Sequence, residues 1–343
     1  MKSKKDPASG NTLLAIAQRH GISSATLSRV LNHPEQVRPE LRAKALALLA
    51  EAGYVAHGAA RSLASRKTRT MGALIPTVDS GLFAKLVDGM QQAIHDQGYQ
   101  LLLACTNYIP DREASEVRAL MERGVDGMML VGRSGNPDIY KLLESKGIPF
   151  VTTCHFDDAF GHPTLGWDNV ATAARIANYL VDIGHRRLGV IAGIAQHNDR
   201  AADRLLGFTR ALHQRGLELP PQYVFERPYT VPEARRAMAA LLKLPEPPTA
   251  VMCGNDILAY GALQECLWQN LKVPEQMSIT GFDNIEMAAH CRPGITTMNV
   301  PAFELGQRAA RMLLAADADT PVESICIDLE LIVRDTTAPP VPR

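Results

Sequence analysis

No run in this 343-residue chain approaches the ~20 consecutive apolar residues that a membrane-spanning helix needs. The basic start, MKSKKDPASGNT, has no apolar stretch behind it, so no secretory signal is expected and the cytoplasm is the default location. The six cysteines (Cys105, Cys154, Cys253, Cys266, Cys291, Cys326) include no C-x-x-C pair. They read as reduced thiols, mostly buried, not as a disulfide frame or zinc site. The ten histidines show no metal-ligand spacing, and no cofactor motif is present. There is no P-loop, no G-x-G-x-x-G after a strand, no H-E-x-x-H and no G-x-S-x-G, so an enzyme is not expected. His185, in GHRR, reads as a helix-to-strand connector, not a catalyst. No heptad repeat follows residue 333, only TTAPPVPR, so a tetramerisation coil is not expected there. Low-complexity tracts are absent too.

What is present is unevenly spread. Net charge is zero, but residues 1–70 hold 12 Lys+Arg against 4 Asp+Glu, which leaves the remainder at −8. A basic head on an acidic body points to a polyanion partner for the head alone. The length suggests two or three domains.

Residues 12–52 read as three short helices. Thr12 caps a first helix running to about Arg19, and Gly21 breaks the chain. Ser23 caps a second helix, Ser24 to Leu31, with Leu27, Val30 and Leu31 on one face. Pro34 ends that stretch. Arg38 to Ala52 is a third helix, with Leu41, Ala45, Leu48 and Leu49 as its inner stripe. Helix, glycine turn and capped helix is the pattern of a helix-turn-helix. Its second helix lies in the DNA major groove. Ser24, Ala25 and Thr26 are short enough to meet base edges there. Arg29 reaches a guanine edge or a phosphate, and Thr26, Ser28 and Asn32 suit phosphate contacts. Each hydroxyl taken singly reads more readily as solvated surface than as a DNA contact; the set, capped and framed by two helices, does not. Residues 58–66, GAARSLASR, form at most a two-turn helix too short to be stable alone.

From Met71 the period changes. Apolar runs at 71–78, 101–105, 127–132 and 150–153 alternate with amphipathic stretches at 83–97, 111–123 and 138–146. A second series has strands at 187–193, 250–255 and 278–282, and helices near 169–183, 201–215, 232–243 and 256–270. TTMNVP (296–301), a helix at 302–315 and ICIDLELIV (325–333) complete it. This is βα repetition in two doubly wound parallel-sheet lobes, which usually enclose a small ligand.

The run T-x-x-x-[IV]-A-x-x-x-G-[IV]-S-x-x-T-[LV]-S-R-V-L-N, then GY at 53–54 and A-R-S-L at 60–63, resembles the LacI family of bacterial repressors. RTMGALIP (69–76), DN (168–169), GHRRLGVIAG (184–193), RLLGF (204–208), ND (255–256), VPEQMSITGFDN (273–284) and ITTMNVP (295–301) follow in family order over nearly the whole chain. HPEQV (33–37) and IPTVDSGLF (75–83) are similar to the gluconate-repressor branch. The resemblance implies an all-α helix-turn-helix head (1–57), a hinge helix and linker (58–70), and an α/β periplasmic-binding-protein-like effector and dimerisation domain (71–343). The N-lobe would take 71–167 and 300–325, the C-lobe 168–299 and 326–337. It implies a homodimeric repressor on a pseudo-palindromic double-stranded operator, controlled by a sugar or sugar acid, gluconate-like in that branch. Thr12, Ser23, Ser24, Ala25, Thr26, Ser28, Arg29 and Asn32 would meet DNA. Arg61, Leu63 and Ala64 would do so from the hinge helix, with Leu63 as a minor-groove wedge. The sequence departs from the family at Ala15 and at Ala56-His57, where losing an Asn cap costs the hinge helix ~1 kcal/mol. Ser24-Ala25 also prevents any operator sequence from being carried over.

For the effector, the resemblance implies Arg204, Asn255 and Asp283 as polar anchors and Tyr229 as a stacking ring. Ser80 and Phe83 lie in the loop after the first strand, although the turn here reads SGLF. Thr106, Arg133 and Asp168 sit at or beyond other strand ends, where ligands of such sheets bind. Alternatives stand beside these: Asp283 as a helix cap, Arg204 as a lobe-stabilising ion pair, Asp168 as structural. Two arginines in one cleft favour an anionic effector. The competing reading is a soluble sugar-binding module of the transport class without DNA-binding activity. It has no use for residues 1–70 and would need a signal peptide.

Overall fold

The computed structural model describes residues 12–54, 67–316 and 322–341, with the backbone alone at Asn32 and Pro34. The chain divides into two compact units at the Arg69–Thr70 step.

The first unit is a small helical head. Helix α1 (Leu13–His20) begins where Thr12 Oγ1 accepts the Ala15 N–H at 3.2 Å. It ends at Gly21, whose left-handed φ of 64° turns the chain. Helix α2 (Ser24–Asn32) begins with Ser23 Oγ accepting the Thr26 N–H at 3.0 Å. Helix α3 (Pro39–Glu51) starts on proline, where a missing N–H costs nothing. The core is Ile16, Ala17, Leu27, Val30, Ala45 and Leu49. The expected stripe on α3 is narrower than its sequence suggests. Ala45 and Leu49 are buried and Leu48 half-buried, but Leu41, in the first turn, is 39% exposed.

The second unit carries two parallel sheets. The first contains β1 (Thr70–Ile75), β2 (Gln100–Cys105), β3 (Gly127–Val131), β4 (Phe150–Thr153), β5 (Thr164–Gly166) and β11 (Ile325–Cys326), in the order β11-β5-β4-β3-β1-β2. Register is set by residue pairs such as Leu74 with Leu130 and Met129 with Val151. Helices α4 (Gly81–His95), α5 (Pro110–Glu122) and α6 (Asp138–Ser145) follow the first three strands, and α12 (Ala302–Ala315) packs on α4. The second sheet holds β6 (Leu188–Gly193), β7 (Val224–Arg227), β8 (Ala250–Cys253) and β9 (Ser278–Thr280), ordered β7-β6-β8-β9. Its helices are α7 (Asn169–Asp182), α8 (Asp199–Gln214), α9 (Val231–Leu242), α10 (Asp256–Trp268) and the short α11 (Glu286–His290). An antiparallel pair, β10 (Thr297–Asn299) with β12 (Glu330–Ile332), completes the unit. None of the helices among the described residues is long and apolar enough to cross a membrane.

Sequence periodicity misses β5 and β7. The first is only three residues long, and the second is a half-exposed edge strand without an apolar run. ICIDLELIV is not one strand: β11 joins the six-stranded sheet, and β12 pairs with β10. His185 does connect α7 to β6. It is buried, its Nδ1 hydrogen-bonded to the Thr249 hydroxyl at 2.9 Å and its Nε2 to Ser278 Oγ and the Ala338 carbonyl. The connector thereby ties the C-terminal segment onto the second lobe. Of the cysteines, all free, Cys154, Cys253 and Cys266 are buried, Cys105 and Cys291 half-buried and Cys326 exposed.

Candidate functional site

In the head, Leu27 and Val30 point into the core, so α2 turns its other side outward. Ala25 and Arg29 are exposed, one turn apart, and Ser24, Thr26 and Ser28 are partly exposed. Two hydroxyls are already engaged: Ser23 Oγ and Thr26 Oγ1 lie 2.7 Å apart, and Ser23 also caps the helix. Thr12 is likewise a cap. Asn32 is the last residue of α2. Arg61, Leu63 and Ala64 lie outside the described residues.

In the second unit, the loops at the C-terminal ends of both sheets face one another across a cleft. Ser80, Phe83, Arg204, Tyr229, Asn255 and Asp283 line one cavity there, with Tyr108, Asn198 and Arg200. Thr106 and Arg133 line an adjoining cavity that shares those last three residues. Sequence reasoning missed Tyr108, Asn198 and Arg200. The signals were present but weak: Tyr108 lies two residues past Thr106, and Asn198 and Arg200 just precede RLLGF.

Each polar residue has a local reason for its place. Asn255 caps α10, its Oδ1 accepting the Leu258 N–H at 2.9 Å, and it lines the cavity from that position. Asn198 caps α8 and donates from Nδ2 to the Tyr229 hydroxyl at 3.2 Å. Tyr229 and Tyr108 meet from opposite lobes, ring centroids 6.4 Å apart and tilted by 41°. Burial raises the pKa of both phenols, so both stay neutral donors.

Arg204 is the centre of the site. It is buried, with its guanidinium 3.6 Å from the Phe282 ring centroid. Nε donates to Asn169 Oδ1 at 3.0 Å, and Nη1 donates to the Gly254 carbonyl at 2.7 Å. Asp283 Oδ1 is 3.7 Å away. Asn169 in turn accepts from Trp167 Nε1 and donates to the Cys154 carbonyl. Of the DN pair, then, Asn169 reaches the arginine, whereas Asp168 caps α7 by accepting the Ala171 N–H.

Asp283 is no helix cap, since α11 begins after Ile285. It holds a left-handed φ of 109°, unusual for a residue with a side chain. Its N–H donates to Met298, and its Oδ1 is buried without a hydrogen-bond partner among the described residues. Burial raises its pKa to about 6, against the pull of Arg204 and Arg200. An acceptor desolvated in this way is costly unless a donor arrives. Arg133 has no spare charge: Asp157, Asp199 and Asp203 lie within 3.6–3.9 Å of its guanidinium. The two arginines that suggested an anionic ligand are thus met by protein acceptors.

Behind the site, Asp256 accepts from the Thr297 hydroxyl at 2.6 Å and the Ile285 N–H at 2.8 Å. Burial and the nearby Asp283 charge still raise its pKa to about 8. Below that value the folded chain holds a proton that the unfolded chain releases near pH 4. Raising pH between those limits therefore favours unfolding. Relative to Asp256→Asn, the wild-type protein is expected to lose about 1 kcal/mol of stability between pH 6 and pH 7. Unfolding free energies from denaturant titrations that changed in parallel with pH for the two proteins would contradict this.

Comparison with known proteins follows the same division. Residues 12–57 match the model for bacterial regulatory proteins of the lacI family, and residues 177–337 match that for a periplasmic binding protein-like domain. The chain is 33% identical over 340 residues to the HTH-type transcriptional repressor CytR of Escherichia coli K12, covering 98% of this chain and 99% of that one. Among solved structures, a LacI family regulator from Silicibacter pomeroyi superposes with a TM-score of 0.87 at 25% identity, covering 95% of this chain and 98% of the other. The transcriptional regulator CelR, in complex with cellobiose, superposes with a TM-score of 0.68 at 25% identity, covering 95% and 99%.

Proposed function

This chain belongs to the LacI family of bacterial regulatory proteins and is a DNA-binding transcriptional regulator; from that premise we propose that it is a homodimeric cytoplasmic repressor of a pseudo-palindromic operator, released or recruited by a small neutral sugar held between its lobes. The observation that carries the DNA reading is α2, capped at Ser23 and anchored by Leu27 and Val30, with Ala25 and Arg29 turned outward. That is the geometry of a recognition helix, and the basic charge of residues 1–70 supplies attraction to phosphates. No catalytic step is assigned to the cleft.

A neutral sugar suits the cleft better than a sugar acid. Arg204 and Arg133 are engaged by protein acceptors, while Asp283 offers an unmet acceptor to a hydroxyl. Tyr108, Tyr229 and Phe83 supply the flat apolar surfaces that a sugar ring packs on. CelR bound to cellobiose supports the same class.

The test is a mobility shift on DNA from upstream of its own coding region. Retardation is expected, with log K falling steeply against log salt. Leu63→Ala is expected to lose specific binding while the body keeps its melting temperature. No retardation at low salt would overturn the regulator; unchanged affinity of Leu63→Ala would remove the wedge. A thermal-shift screen decides the effector class. Stabilisation by sugar acids alone would overturn the neutral reading.

A further inference from the structure

The first turn of α8 and the end of β3 belong to different lobes, yet protein groups join them directly. Asp199 Oδ2 accepts the backbone N–H of Arg133 at 2.8 Å. Asp199 Oδ1 accepts from Arg200 Nη1 at 2.7 Å, and that nitrogen also reaches the Val131 carbonyl at 3.2 Å. The Arg133 guanidinium adds Asp199 at 3.9 Å and Asp203, one turn along α8, at 3.8 Å. His155, at the end of β4, brings its Nδ1 to 3.9 Å from Asp199. The Asp199 and Arg200 side chains are only 10% and 8% exposed, whereas Arg133 lies at the exposed rim of the contact.

Gly132 makes the arrangement possible. It has a left-handed φ of 75°, and a Cβ built there would lie 1.4 Å from Arg200 Nη1. The arginine occupies the space that any side chain at position 132 would fill. The shortest contacts of Asp199 and Arg200 on the opposite lobe are to backbone, so the grip depends first on position 132, and the Arg133 side chain adds only the longer ion pairs.

We propose that Asp199 and Arg200, closing on Val131, Gly132 and Arg133, form a latch that biases the two lobes toward the closed arrangement by protein contacts alone. A charge-assisted bond to a backbone N–H is among the stronger polar contacts, and hinge opening must break it. Arg200 also lines the effector cavity. An occupant there works on an equilibrium the latch has already set, and shifts it only through a difference in affinity for the two arrangements. The latch holds whatever the effector is.

The experiment uses the full chain with nothing added. Spin labels, introduced through a non-canonical amino acid at the exposed positions Lys141 and Gln196, report the inter-lobe distance by pulsed electron paramagnetic resonance. Singly labelled samples identify any distances between subunits. The unsubstituted latch is expected to give one narrow distribution. Asp199→Ala and Gly132→Ala are each expected to lengthen and broaden it, and Arg133→Ala, which keeps the backbone N–H, to change it far less. Hydrogen exchange at the Arg133 amide is expected to rise at least tenfold in Asp199→Ala. An unchanged distance distribution in Asp199→Ala overturns the latch, even if Gly132→Ala fails to fold.

Discussion

Leu27→Ala is expected to unfold the head and leave the melting of the body where it is. Leu27 is fully buried in a core of six residues, and each of the three helices contributes to that core. Truncating a buried leucine costs about 2–5 kcal/mol. A core of this size rarely supplies more than about 3–5 kcal/mol in total, so one cavity consumes the margin. The head and body form separate compact units, which is why the loss is expected to stay local. Calorimetry should show the body's transition unshifted, and operator binding should fall by more than about 100-fold, since 3 kcal/mol exceeds two decades. A Leu27→Ala protein that bound its operator with full affinity would show that α2 is held by something other than this core.

Arg204→Ala is expected to act on the body and to cost it about 3–5 kcal/mol, the range for breaking a buried ion pair by removing one partner. Three groups lose a partner at once: the Gly254 carbonyl, Asn169 Oδ1 and the Asp283 carboxylate. Phe282 also loses the guanidinium stacked on it. For a domain of this size the melting temperature should fall by roughly 6–20 °C, taking 2–4 °C per kcal/mol. With its nearest cation gone, Asp283 should titrate at a still higher pH. Any sugar that stabilises the wild-type protein should no longer do so. Arg204→Lys is not expected to rescue it, because an ammonium cannot serve Asn169 and Gly254 with a planar fork. If the variant kept its melting temperature and its ligand-induced shift, Arg204 would be neither a lobe-stabilising pair nor an anchor.

The second of these variants tests a residue for which two readings stood open. RLLGF offered Arg204 as either a ligand anchor or a lobe-stabilising pair, and the geometry supports both. The arginine lines the cavity and is bonded to Asn169, at the start of α7, and to the Gly254 carbonyl, just past β8. The same holds for the DN pair, where burial distinguishes the members. Asp168 turns out to cap a helix at the surface, and Asn169 turns in.

The head was almost entirely legible as sequence. Thr12, Gly21 and Ser23 set its first two helices, and the spacing of Leu27 and Val30 chose the buried face of α2. Caps and faces depend on residues three or four apart, so a short string of letters contains the whole interaction. The alternating βα pattern of the body was legible for the same reason, as were most of its strands, each a continuous apolar run. GISSATLSRVLN in particular carries its cap, its buried face and its exposed Arg29 within twelve letters.

Tertiary structure alone decided what depends on partners distant in the chain. β5 and β7 are strands because they pair in parallel with β4 and β6, partners that lie elsewhere in the chain, and not because of an apolar run of their own. The arginines could be counted from sequence, but not their charge balance. Gly254 lies 50 residues from Arg204, and Asp199 lies 66 from Arg133. Only the folded chain shows these cations engaged by the protein, with Asp283 left as the buried acceptor. That placement is what favours a neutral sugar, as proposed above, within the expected class of sugar or sugar acid. It also gave Gly132 a reason to be glycine, one fixed by an arginine from the other lobe and not by any neighbour in the chain.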